Sequence, residues 1–139
     1  MLERLHGQQV DAGRLEPATR GWAIDSPPVA LVDYLEAAER LWAFSRRLLS
    51  SWPADAVLLT PTLTRLPAEI GALRAGAGVT DDAVRFSAFV RIWNVTGQPA
   101  ISVPFHETAE GVPVGVQLVG PPGREDLLLA LAAQLEAAA

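Results

Sequence analysis

The chain has 139 residues, of which 50% are hydrophobic and 19% charged, with a formal net charge of −5 and no cysteine. This balance predicts a folded domain rather than a disordered one and argues against nucleic-acid or anionic-membrane partners, which need clustered cations. It also removes disulfides, thiolate metal sites and cysteine nucleophiles together, and because all 11 basic residues are arginines it removes lysine chemistry as well.

Met1–Gln9 is mixed and charged, with no apolar stretch of the kind a secretory leader carries. No run approaches the ~20 apolar residues of a spanning helix. These features, with the absence of cysteine, predict a cytoplasmic protein. Residues 1–28 are punctuated by Gly13, Pro17, Gly21 and Pro27-Pro28 and read as a lead-in arm, with a short helix at most; residues 29–139 read as the main body. Ser26 before the two prolines suits a helix start. From Val29 to about Leu49, Leu31, Leu35, Ala38, Trp42 and Leu49 recur at helical steps, with Glu36, Glu39, Arg40, Arg46 and Arg47 opposite. The spacing predicts an amphipathic helix that Pro53 ends.

Ala56–Thr60 is a short continuous apolar run, as expected of a strand buried on both faces. Pro61–Gly78 is rich in Pro, Gly and Thr and reads as a long loop. Thr80 or Asp81 can cap a helix running through Phe86, Phe89, Val90 and Trp93, stopped by Gly97 and Pro99. Ala100–Phe105 and Val112–Val119 read as a hairpin joined by the polar loop His106–Gly111. Pro104 and Pro113 cannot donate ladder hydrogen bonds, so each is expected at a strand end, a bulge or an edge. Glu125 and Asp126 open a last helix, where the dipole favours them, and its predicted apolar stripe is Leu128, Leu131, Leu135 and Ala138. Three strands cannot easily cover a strand buried on both faces, so the pattern reads as one side of a larger α/β sheet.

Four separate blocks stand in order along the chain: Leu58–Thr62 (LLTPT), Asn94–Pro104 (NVTGQPAISVP), Gly111–Gly120 (GVPVGVQLVG) and the helix Arg124–Glu136. Together they resemble the C-terminal portion of the amidase signature family. Leu15–Gly21 and the helix beginning at Val29 are similar to the same portion, so the resemblance runs from about residue 15 to the end. It implies an α/β (α+β mixed) fold with about three strands of a mixed sheet flanked by about three main helices, and residues 29–139 as the C-terminal part of an amidase-signature domain. It also implies amide hydrolysis by a serine–serine–lysine triad contributed by a section of the family that this sequence does not match.

Elementary chemistry leads to the same place. A serine hydroxyl needs a nearby base to become a nucleophile, and arginine stays protonated at any working pH. No catalytic residue is therefore expected in this chain. His106 opens a polar loop and reads as exposed, and Ser50-Ser51 sits at a helix end without flanking glycines. No metal or other cofactor is expected: Asp81-Asp82 and Glu125-Asp126 read as helix-start acids, and Gly71–Gly78 lacks the lysine of a phosphate loop. Substrate-pocket candidates are Thr60 and Thr62 at the end of the apolar strand, the polar turn Asn94, Thr96, Gly97 and Gln98, and Gln117, whose side the alternation does not decide. Each has a competing reading as a cap, a turn or a solvent-facing position. Trp22, Trp42, Trp52 and Trp93 read as core or interface residues. The expected partners are an N-terminal amidase half or a second copy, with a small amide substrate only in the completed protein. The alternative is a non-catalytic complementation module that pairs its sheet with another chain.

Overall fold

A computed structural model describes Gly7, residues 11–70 and residues 81–138. Gly71–Gly78 and Thr80 lie outside them, as do the side chains of Trp22 and Asp81. The chain forms two compact units, residues 1–28 with 68–84 and residues 29–67 with 85–139. In the first, Asp11 caps a 3-10 turn over Ala12–Arg14 by accepting from the Gly13 N–H at 2.9 Å. A helix, α1, follows over Pro17–Ala23, with proline at its first position, where its missing N–H costs nothing.

The second unit holds α2 (Leu31–Ser51), β1 (Leu58–Pro61), α4 (Arg91–Thr96), β2 (Ala100–Glu107), β3 (Pro113–Val119) and α5 (Glu125–Ala138); α3 (Asp81–Phe86) begins in the first unit and ends in the second. Rich in Leu, Ala, Glu and Arg, α2 is made of strong helix formers. Its start differs from the sequence expectation: Ala30 is the cap residue, and the Ser26 hydroxyl donates to the Gly21 carbonyl at 2.9 Å. Residues before prolines are pushed out of the helical region, so Ser26 and Pro27 stay outside. None of α2 is buried, and Trp42 is 61% exposed. Trp52, at its end, meets Trp93 edge-on at 5.8 Å and donates to the Ala56 carbonyl.

The three strands lie in the order β1-β3-β2, all antiparallel. The run expected to be buried on both faces is instead an edge strand, with Leu58 38% and Leu59 59% exposed. Its apolar continuity needs cover that the described residues do not supply. Pro113 opens β3 and Pro104 sits at the β2 register shift, as their missing N–H groups require. The shift carries the strand on to Glu107, so His106 belongs to β2, opposite Val114, and the connection becomes Thr108–Val112, with the Thr108 N–H donating to the Val112 carbonyl. Gly111, at φ +80, closes it.

The single helix expected over residues 81–93 is two helices with a turn at Ser87–Val90. The cause lies in the carbonyls. A continuous helix would give Phe86 O to the Val90 N–H and Phe89 O to the Trp93 N–H. Instead Thr64 N donates to Phe86 O, and the Gln117 side-chain amide donates to Phe89 O at 2.9 Å. Gly97, at φ +70, then ends α4 in the left-handed conformation.

Residues opposite one another on paired strands share a face. Leu118 and Val103 therefore lie on one face and Gln117, Ser102 and Val119 on the other. On the first face α5 packs across β2 and β3. Its Leu128 sits so close to Gly120 that a Cβ there would come within 3.2 Å of it. Leu128 and Ala132 are buried, so Ala132 replaces the expected Ala138 in the stripe. At its start Arg124 pairs with Asp126 and reaches Asp55 at 3.6 Å. The Arg124 hydrogen bond holds the Asp126 carboxyl below its usual range.

Two outcomes follow from this packing. Leu118→Ala removes a core contact beneath α5 and should cost about 3 kcal/mol in urea denaturation. A depressed folded-state carboxyl stabilises above its unfolded pKa of about 3.9 and loses that contribution as pH falls through the folded value. Arg124→Gln should therefore be less stable than the parent at neutral pH, with the difference closing below about pH 4.

Candidate functional site

The polar face of the sheet supplies the most concentrated chemistry among the described residues. Register sets Thr60, Gln117 and Ser102 in one row across the three strands. Gln117 is only 4% exposed, and a buried amide needs partners to offset its lost hydration. Its Nε2 donates to Thr60 Oγ1 at 3.0 Å and to the Phe89 carbonyl at 2.9 Å. It thus ties β3 both to β1 and to the turn between α3 and α4.

Next along the same face, Thr62 follows the end of β1 and its N–H donates to the Gly115 carbonyl at 3.2 Å. The hydroxyls of Thr62 and Ser102 meet at 2.7 Å. They come from the two strands that flank β3, whose backbones stand about 9.6 Å apart. The pair closes because Gly115 lies beneath it: a Cβ there would sit 2.9 Å from Ser102 Oγ and 3.1 Å from Thr62 Oγ1.

This hydroxyl bridge forms part of the wall of a cavity of about 700 Å³, within the range of small-molecule sites. The rest of the lining is mainly apolar, from Pro61, Leu63, Leu66, Phe89 and Val114. Thr64 and Arg65 add polar groups at its border. Thr64 Oγ1 donates to the Arg85 carbonyl at 3.1 Å, and the Arg65 guanidinium lies 5.4 Å from the centre of the Phe86 ring. A smaller depression of about 330 Å³ lies beside the β2 bulge and contains His106 and Glu107. His106 is four residues along the strand from Ser102, about 13 Å, too far to take its proton.

The residues singled out in the sequence separate in space. Thr62 lines the cavity, and Thr60 and Gln117 form the hydrogen-bonded row beside it. Gln98 is buried and donates to the Gly120 carbonyl at 2.9 Å, latching the strand entry to the end of β3. Thr96 is buried in the last turn of α4, Gly97 caps that helix, and Asn94 is exposed. Sequence reasoning missed Ser102, Gly115, Thr64, Arg65 and Phe89. The available signal was Gly115 itself, a glycine interrupting the apolar alternation of β3, which marks close approach by another group.

The model of the Amidase family matches residues 12–129 of this chain. The chain belongs to the amidase family. It is 40% identical over 114 residues to the 6-aminohexanoate-cyclic-dimer hydrolase of Pseudomonas sp. (strain NK87), and 43% identical over 115 residues to that of Paenarthrobacter ureafaciens. Each match covers 76% of this chain and 21% of the relative, so the chain spans about a fifth of the length of these curated relatives. The solved structure of a 6-aminohexanoate cyclic dimer hydrolase superposes with a TM-score of 0.70 at 37% identity, over 79% of this chain and 25% of that one. The mixed α/β fold and the family expected from the sequence are thus the ones observed.

Gln117→Leu keeps the volume but leaves the Phe89 carbonyl and the Thr60 hydroxyl without their amide donor. The expected cost is about 1–3 kcal/mol in denaturant unfolding. Hydrogen exchange at the Val90 N–H, which bonds Ser87 O at 3.2 Å, should quicken in the same variant.

Proposed function

We propose that this amidase-family chain is the C-terminal, pocket-forming portion of an amide hydrolase and is inactive by itself. One observation carries the reading: the cavity wall presents three hydroxyls, from Thr62, Thr64 and Ser102, and the Arg65 guanidinium, and the chain has no lysine to act as base. A hydroxyl without a base is a poor nucleophile, and Arg65 cannot accept a proton. The wall is therefore equipped to hold a carboxylic amide, while nucleophile and base come from polypeptide beyond the part of the family that these residues match. The resemblance to the cyclic-dimer hydrolases points to aliphatic amides as the substrate class, and the absence of cysteine suits action in the cytoplasm.

A second reading has its own observation. Among the described residues β1 and β2 each pair on one edge only, and a free strand edge is a template for another chain. On this reading the protein is a non-catalytic complementation module, completed by an amidase half or by a second copy. Light scattering across a concentration series separates the cases, since a concentration-independent monomer removes self-pairing.

The direct test uses purified chain free of host amidases, incubated with simple aliphatic and aryl amides. The expected result is no release of amine or ammonia above the buffer rate. Turnover that follows the chain through purification would overturn the proposal.

A further inference from the structure

We propose that the Thr62–Ser102 hydroxyl bridge, held open by Gly115, is the polar anchor of the cavity and selects a neutral carboxamide over a carboxylate. The inference rests on the reading that this chain forms the pocket of an amide hydrolase, and it assigns the recognising residues.

Hydrogen-bond arithmetic supplies the selectivity. At 2.7 Å one hydroxyl donates to the other, which uses one of two O–H donors. The bridge keeps one donor and several acceptor lone pairs. A carboxamide offers an acceptor oxygen and N–H donors and can satisfy both sides at once. A carboxylate only accepts, so it leaves the bridge's acceptors unmet and loses hydration against the apolar part of the wall, while the one cation of the lining, Arg65, lies against the Phe86 ring. Phe89 and Val114 on that wall suit an alkyl chain leading away from the anchor.

Geometry makes the anchor dependent on a missing side chain. The two hydroxyls reach across β3 only because residue 115 has no Cβ, which would lie 2.9 Å from Ser102 Oγ. That distance forces a shift, and the hydroxyls are the movable atoms. Gly115 is thus a positioning residue for the anchor. Its φ is not in the left-handed region, so alanine is compatible with the backbone and acts through this contact.

The test is an amide-shift titration of the ¹⁵N-labelled 139-residue chain with hexanamide and, separately, hexanoate. Hexanamide should shift Thr62, Ser102, Gly115 and Phe89, and should bind more tightly than hexanoate. Ser102→Ala and Gly115→Ala should each weaken hexanamide about tenfold, the scale of losing one to two hydrogen bonds. Ser102→Thr should retain binding, which separates loss of the hydroxyl from loss of fold, and spectral dispersion checks folding in every variant. Absence of hexanamide binding, shifts confined to other residues, or undiminished binding in Ser102→Ala and Gly115→Ala overturns the anchor. So does hexanoate binding as tightly as hexanamide and lost in Arg65→Gln, which would make this an anion site. Hexanoate accumulating in the hexanamide tube would instead refute the inactivity proposed above and leave the anchor standing.

Discussion

The second unit of this chain hangs on β3, the strand among those described that is paired along both edges. A four-residue edge strand such as β1 has no independent stability, and β2 is interrupted by its bulge. Each gains order by pairing with β3 rather than with the other. Burial follows the same logic: Val119 is fully buried and Leu118 nearly so, while Leu59, one strand away, stays 59% exposed. The two faces are then set by two glycines, one within β3 and one immediately after it. Gly120 lets Leu128 of α5 close on one face, and Gly115 lets two hydroxyls close on the other.

Gln117 links this scaffold to the cavity. By taking the Phe89 carbonyl it competes with helix propagation, and Thr64 does the same for the Phe86 carbonyl. Two diverted carbonyls are enough to divide a segment whose periodicity favours one helix into α3 and α4. The resulting turn carries Phe89 onto the cavity wall. A buried polar side chain on the sheet therefore positions an aromatic ring that no local propensity would have placed there. Since the amide of Gln117 is occupied by the fold, the outward-facing chemistry falls to its neighbours Thr62 and Ser102.

Much of this was legible from residues alone, and the exceptions share one physical cause. The helices over residues 31–51 and 125–138 follow from apolar spacing, and the hairpin from its two apolar runs and polar loop. Pro104 and Pro113 marked the bulge and the strand start because a missing N–H has few permitted places. What failed depended on groups distant in sequence. The break at Ser87–Val90 comes from Thr64 and Gln117. The exposed edge at Leu58 and Leu59 reflects cover that the described residues do not provide. Of the site, Thr62 and Gln117 were visible as polar residues near strands, but Ser102 was not, because its partner is 40 residues away and the glycine between them belongs to a third strand.

The lack of lysine decides what this wall can contribute. Desolvation can lower a lysine's pKa until it serves as a base, but arginine resists the same treatment, so moving Arg65 deeper would only cost more. His106 lies beyond the bulge, out of reach of Ser102. The hydroxyl bridge therefore has partners for hydrogen bonding, and among the described residues no histidine, carboxylate or lysine shares its cavity wall. On the proposed reading these hydroxyls recognise rather than attack, and their value would rise as water is excluded, because an unmet donor or acceptor then costs its full desolvation. The exposed apolar side chains of α2 and the edges of β1 and β2 that are unpaired among the described residues are surfaces along which further polypeptide would exclude that water. On the proposals made above, completing the sheet and sharpening the cavity's selectivity would be one event, driven by the same burial.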